Sequence, residues 1–249
     1  MPQIFHPSAN TLARASIFGG AFVALGAVLV THLVIRSPYQ TDVHVVKSQP
    51  VPFSHEHHVR GLGIDCRYCH TSVEESSFAG LPPTYTCMSC HSQIWTDSPM
   101  LAPVRESLAL DRPLEWNRIH DVPDYTYFNH AIHVNKGVGC YSCHGRVDQM
   151  PLAWKEESMS MGWCLECHRN PEKHLRPKEE IYNLEWSVDN DQEAVKAFVQ
   201  REAGSETLEF LASDEYVSQE ELGQLLAAMY EVPTLGHNTP LTNCAVCHR

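Results

Sequence analysis

Five copies of the motif Cys-x-x-Cys-His occupy every cysteine of this 249-residue chain. The five motifs are Cys66, Cys69 and His70; Cys87, Cys90 and His91; Cys140, Cys143 and His144; Cys164, Cys167 and His168; and Cys244, Cys247 and His248. The two thiols of such a motif can form thioethers to a haem, and its histidine becomes the proximal iron ligand. Half a zinc site or a thioredoxin-like pair also uses Cys-x-x-Cys, but neither requires a histidine after every pair. The pattern therefore predicts five covalently bound haem c groups.

Composition narrows the class of protein further. The formal net charge of -12 argues against nucleic acid as a partner, because nucleic acid selects basic surfaces. Five haems would replace much of the side-chain core of a chain this short. We therefore expect a mainly α-helical and irregular, haem-cored fold with little sheet and one N-terminal transmembrane helix.

That helix is predicted from an apolar segment near the N-terminus. Residues 16–35 contain no Asp, Glu, Lys or Arg, and as a helix they span about 30 Å, the thickness of a bilayer core. A cleaved signal peptide is the alternative, although its apolar part is usually only about 7–15 residues long. We expect residues 1–15 to form a cytoplasmic tail. Because bacteria attach haem c outside the cytoplasmic membrane, the remaining chain is expected on the periplasmic side.

The first four motifs lie in a region, 36–180, that reads as a duplicated tetrahaem module. Phe53, His55 and His58 precede the first pair of motifs, and Phe128, His130 and His133 precede the second pair. The repeats span about 50–100 and 125–170. Histidines at i and i+3 share one helix face. Each iron needs a second axial ligand, so we predict that His55, His58, His130 and His133 are distal ligands, with the two histidines of each pair serving different irons.

A fifth distal ligand is less well defined by the sequence. His120 leads directly into the second repeat and is the preferred candidate. Several alternatives stay open: His174, His237, Met150, Met159, Met161 and Met229. A methionine would raise the reduction potential relative to two histidines. His57 lies between two predicted ligands and should point away from them.

Residues 181–249 form a different kind of segment, acidic and helical, that carries the fifth motif. Lys178 to Glu231 holds 14 acidic and 3 basic residues. Val195, Phe198 and Val199 form one apolar stripe at helical spacing. Ser218 and Glu221 have the spacing of a capping box at the start of a second helix. These helices could cover the haem region or present an acidic docking surface.

The run Trp116 to His133, with Met161-Gly-Trp-Cys164-Leu-Glu-Cys167-His-Arg, resembles the multihaem cytochromes c of bacterial respiratory complexes. With five motifs and one N-terminal anchor, the chain is most similar to the pentahaem subunit of alternative complex III. The Phe-x-His-x-x-His elements also resemble those of cytochromes c3 and c7. In that group the first histidine serves the haem that follows it and the second serves another haem.

The resemblance implies an assembly. Its other members would be polytopic quinol-binding membrane subunits, a periplasmic iron–sulfur subunit, and a monohaem cytochrome c or an oxidase as acceptor. The chain would relay electrons within a quinol:acceptor oxidoreductase and have no catalytic site of its own. The alternative is a self-sufficient membrane quinol dehydrogenase of the type that feeds periplasmic nitrite or nitrate reductases.

Overall fold

A computed structural model describes residues 4–202, 216–233 and 240–248, and the chain divides into two compact units, Met1–Val45 and Val46–Arg249. The first unit contains helix α1 (Ser8–Arg36) and one short turn of helix, α2 (Pro38–Thr41). Helix α1 has a mean hydropathy of 2.1 in its most apolar window and buries no residue. The predicted apolar helix is therefore present, although it begins at Ser8 rather than at residue 16.

The second unit is built from short helices and irregular segments. Its α-helices are α3 (Cys66–Cys69), α4 (Thr84–His91), α5 (Ala102–Leu110), α6 (His130–Asn135), α7 (Tyr141–His144), α8 (Met161–Arg169), α9 (Gln192–Glu202), α10 (Gln219–Met229) and α11 (Cys244–Cys247). A π-helix covers Glu56–Gly61, and 3-10 turns cover Pro99–Leu101, Val147–Gln149, Pro171–Lys173, Lys178–Glu180 and Pro240–Thr242. In the described ranges no residue is assigned to a β-strand, and β pairing is limited to isolated bridges such as that between Val138 and Leu175. The expected fold class is confirmed.

Side chains alone make a sparse core around the first four motifs. Within residues 46–170, the fully buried apolar side chains are Val51, Val73, Leu101, Val104, Val134 and Met150. Aromatic side chains such as Tyr85, Trp95 and Tyr125 are more than half exposed. A protein interior is normally close-packed. The side chains of this region therefore do not form a close-packed core by themselves.

The acidic C-terminal segment, in contrast, has a conventional hydrophobic core. Val195, Phe198 and Val199 are buried on one face of α9, as predicted. Helix α10 begins with the predicted capping box, in which Ser218 and Glu221 exchange hydrogen bonds. Its buried Leu222 and Leu226 pack with residues of α9 and with Leu175 and Trp186. Helices α9 and α10 therefore pack together around their own apolar side chains.

Candidate haem-binding sites

The Cys-x-x-Cys-His motifs adopt a helical turn that brings the cysteines and the histidine to one side. The backbone N–H of His70 donates to the carbonyl of Cys66 at 2.8 Å, and His144 and His248 repeat this bond to the first cysteine of their motifs at 2.9 and 2.8 Å. Asp65 caps α3 by accepting a hydrogen bond from the N–H of Arg67. Residues at i, i+3 and i+4 of such a turn are neighbours, which is the arrangement that attachment of one haem requires.

A backbone carbonyl fixes most of the proximal imidazole rings. The Nδ1 atoms of His70, His91, His168 and His248 lie 2.7, 3.1, 2.9 and 2.9 Å from the carbonyl oxygens of Gly80, Ile94, Leu241 and Tyr125. An Nδ1–H that donates to a carbonyl leaves Nε2 as the free lone pair. Metal-bound histidines are usually held in this way. These rings are therefore oriented to ligate through Nε2.

Buried cysteines of the third motif lack the lowered pKa of a reactive thiol. Burial raises the pKa of Cys140 and of Cys143 to about 12. Reactive, catalytic cysteines instead have lowered pKa values. Across residues 4–202, 216–233 and 240–248, no group of three or more His, Cys, Asp or Glu could hold a metal ion. The donors suit haem, which needs from the protein only thioethers and axial ligands.

Two predicted distal histidines face the proximal histidine of the second motif in their own repeat. The ring centroids of His58 and His91 are 6.2 Å apart, and those of His133 and His168 are 6.1 Å apart. Two imidazoles bound to opposite sides of one metal ion at about 2.0–2.1 Å would have centroids roughly 6 Å apart. Both pairs therefore have the separation of axial ligands on a single iron.

The surroundings of these two distal histidines are the same in both repeats. Phe53 stacks on His58 at 4.4 Å and 26°, and Phe128 stacks on His133 at 4.5 Å and 26°. The Nδ1 atom of His58 lies 2.8 Å from the carbonyl oxygen of Ser54, and the matching distance from His133 to Asn129 is 2.7 Å. This equivalence supports the predicted duplication.

Near the first motif of each repeat lie His55 and His130, the first histidines of the two pairs, together with His120. The His120 and His144 ring centroids are 4.2 Å apart. Burial, followed by the charges of neighbouring histidines His70, His58 and His120, lowers the pKa of His55 to about 4. Burial likewise lowers the pKa of His120 to about 4. These imidazoles are neutral at pH 7, the form that binds iron.

Two buried nitrogen atoms in this group lack a hydrogen-bond partner. They are Nδ1 of His55 and Nε2 of His120. A buried polar atom normally has a partner, so an orphaned one requires an explanation. Iron ligation would account for Nε2 of His120, the preferred fifth ligand. His130 is fixed by the carbonyl of Ser77, 2.9 Å from its Nδ1.

The alternative fifth ligands lie in varied surroundings. His174 is half-buried and lines a cavity of about 690 Å³ with Trp154 and Trp186. Met150 is fully buried, Met161 and Met229 are exposed, and Met159 has a left-handed backbone with φ of 52°. His237 lies outside the described residues. His57, as expected, is exposed.

The structure also places the two repeats against each other, which the sequence did not predict. The N–H of Ala131 donates to the carbonyl of Ser76, and the N–H of Glu56 donates to the carbonyl of Met150, both at 3.1 Å. These bonds join equivalent positions of the two repeats. Each His-x-x-His segment therefore docks on the loop that follows the first motif of the other repeat.

These motifs, paired histidines and orphaned nitrogens define a multihaem cytochrome c, which holds its haem covalently. No family model matches the chain. It is 34% identical over 187 residues to the menaquinone reductase, multihaem cytochrome c subunit, of Nitratidesulfovibrio vulgaris; the match covers 67% of this chain and 89% of the relative. The chain belongs to the family of that multihaem cytochrome c subunit.

Proposed function

We propose that the chain is a membrane-anchored relay of five haems that carries electrons between a quinone-linked membrane complex and a downstream acceptor. The main observation behind this proposal is that two histidine pairs at equivalent places of a repeated module have nearly the same spacing. The ring centroids are 6.2 Å apart for His58 and His91 and 6.1 Å apart for His133 and His168. Bound haem c would supply a reversible one-electron iron couple at each motif. The protein's part is to hold, orient and shield these groups.

The proposed ligands follow from the geometry above. The five motif histidines would be proximal ligands, with His58 opposite His91 and His133 opposite His168. The other three irons would have His70, His144 and His248 as proximal ligands. Their distal ligands would be His55, His130 and His120. Two strong axial ligands on every iron leave no open coordination position. A chain of this kind has no catalytic site of its own.

Helix α1 supports the proposed membrane anchor. None of its 29 residues is buried, and its apolar composition suits a bilayer. Residues 1–15 would then be cytoplasmic and the haem-binding unit periplasmic, because bacterial haem c attachment takes place on that side. Proteolysis of intact spheroplasts would test this orientation, since only a periplasmic unit would be digested.

The proposed partners rest on the relative's name and on the resemblance to alternative complex III. The relative is a subunit of a menaquinone reductase, which supports a multisubunit, quinone-linked setting for this chain. We propose polytopic quinol-binding membrane subunits, a periplasmic iron–sulfur subunit, and a monohaem cytochrome c or oxidase as acceptor. In the proposed complex, electrons would pass from quinol through this chain to the acceptor. In a complex that reduces quinone, electrons would pass through the chain in the opposite direction.

Purification from native membranes in mild detergent tests this assignment. Mass spectrometry of the co-purifying proteins should find an iron–sulfur subunit and polytopic membrane subunits, and the intact mass of this chain should include five haems. Adding a quinol, and separately a reduced acceptor, would establish the direction of electron transfer. If the isolated chain is reduced by quinol without partners, it is instead a self-sufficient quinol dehydrogenase and the relay proposal is wrong.

A further inference from the structure

The two equivalent histidine pairs differ in one geometric respect. The imidazole planes of His58 and His91 are inclined at 65°, whereas those of His133 and His168 are inclined at 27°. The distal rings have the same stacking and hydrogen bonds in both repeats. The difference must therefore come from the surroundings of the proximal rings or from residues beside the pairs.

An aromatic stack borders the first pair. His57 and Trp95 stack with centroids 6.0 Å apart and planes at 18°. His57 meets the edge of His58 at 5.5 Å, and Trp95 lies 6.5 Å from His91. The two stacked rings thus connect the distal ligand to the proximal ligand on one side of the pair.

The second repeat has no counterpart of this stack. With the repeat offsets of 75 and 77 residues between His58 and His133 and between His91 and His168, His57 corresponds to Ile132 and Trp95 to Glu172. The carbonyl acceptors also differ. His91 bonds to Ile94, in the turn beside Trp95, whereas His168 bonds to the distant Leu241.

The backbone of Trp95 has an unusual conformation, which shapes the turn beside His91. Its φ is 56°, in the left-handed region that a bulky residue rarely adopts. This conformation follows directly after Ile94, whose carbonyl oxygen lies 3.1 Å from Nδ1 of His91. The same residue therefore shapes the turn that binds the proximal ring and supplies the ring that stacks on His57. Residues around a metal ligand orient it and tune the metal in this way.

We propose that Trp95, stacked on His57, is a positioning residue that holds the His58–His91 planes away from parallel and so makes this haem site different from its duplicate. The proposal rests on the ligand pairs assigned under the proposed function. In low-spin ferric haem, strongly inclined imidazole planes give a larger maximum g value than nearly parallel planes. They also favour a higher reduction potential. Trp95 thus raises the potential of the His58–His91 site above the value that parallel planes would give.

Electron paramagnetic resonance and redox titration of the full-length, haem-loaded protein test this inference. The wild-type spectrum should contain a large-g signal from the His58–His91 site and a rhombic signal from the His133–His168 site. Trp95→Leu should shift the large-g signal toward the rhombic type and lower the midpoint potential of that haem. The rhombic signal of the second site is the internal control and should stay in place. Trp95→Phe keeps a stacking ring and should retain the wild-type signals.

Two outcomes separate this inference from the ligand assignment. His58→Ala should remove the large-g signal and produce a high-spin haem; a protein that stays fully low-spin would overturn the ligand pair itself. If His58→Ala acts as expected but Trp95→Leu leaves every signal and potential unchanged, the ligand pair stands and the positioning role of Trp95 is refuted.

Discussion

Gly223 offers a direct test of how the acidic segment is attached to the haem-binding region. It lies in α10, against the 3-10 turn Pro171–Lys173 that follows the fourth motif. A Cβ atom at this position would lie 1.8 Å from the carbonyl oxygen of Glu172 and 2.5 Å from its carbonyl carbon. The clash is with backbone, so no side chain can rotate away to relieve it. Gly223→Ala must therefore push the helix away from the turn.

The expected size of this effect follows from two opposing contributions. Overpacking a close contact costs about 1–3 kcal/mol, and a distance this short indicates the upper end. Removing a glycine from a helix interior returns about 0.5–1 kcal/mol. The net loss is about 2 kcal/mol, which lowers the Tm by roughly 4–8 °C for a unit of this size.

Circular dichroism melting of the haem-loaded protein would measure this loss. Gly162→Ala is the matched control, because this glycine is in helix α8 and a Cβ there meets no atom within 4 Å. The control should melt at the wild-type temperature or slightly above it. Equal melting of Gly223→Ala and wild type would show that α10 does not pack against the Glu172 backbone in solution.

Two further predictions concern individual side chains. His120→Ala should leave all haems covalently attached but convert one to a high-spin form that binds CO, whereas His174→Ala should not; the opposite result would exchange their roles. Ser218→Ala should cost about 1 kcal/mol at pH 7 through loss of the helix cap, measured by denaturant unfolding. The backbone N–H of Ser218, and after it the Ser218 hydroxyl, donate to the Glu221 carboxylate and lower its pKa below the ordinary value of 4.5. The variant keeps the backbone bond and loses only the hydroxyl bond. The stability from the hydroxyl bond is complete above pH 4.5 and lost as pH falls through the lowered pKa, so part of the gap between wild type and variant should close there. A constant gap down to pH 3 would contradict this linkage.

Local features of the fold and site could be read from sequence because short spacings determine them. The helical turn of each motif, the stripe of Val195, Phe198 and Val199, and the cap at Ser218 all depend on residues within one or two turns. Ligand roles for His58 and His133 followed from a spacing of three residues together with its repetition. In the structure each of these rings lies near a proximal histidine of its own repeat, with ring centroids 6.2 and 6.1 Å apart, and their role as ligands stays a prediction.

Other features depend on contacts between distant segments and could not be read in this way. The carbonyl of Leu241 bonds to His168 across 73 residues, and no local pattern indicates such a partner. The reciprocal docking of the repeats likewise joins Ala131 to Ser76. Helix α1 begins at Ser8 because helical structure extends beyond the apolar residues that define a membrane span. Hydropathy locates the span but not the end of the helix.

The reciprocal docking of the repeats also constrains how the protein is made. The N–H of Glu56, next to His55, bonds to the carbonyl of Met150. The first repeat therefore lacks this contact until residue 150 has been synthesised. Until then the first two motifs have no second repeat packed against them and are accessible to the machinery that attaches haem. Synthesis thus sets an order in which attachment can precede closure.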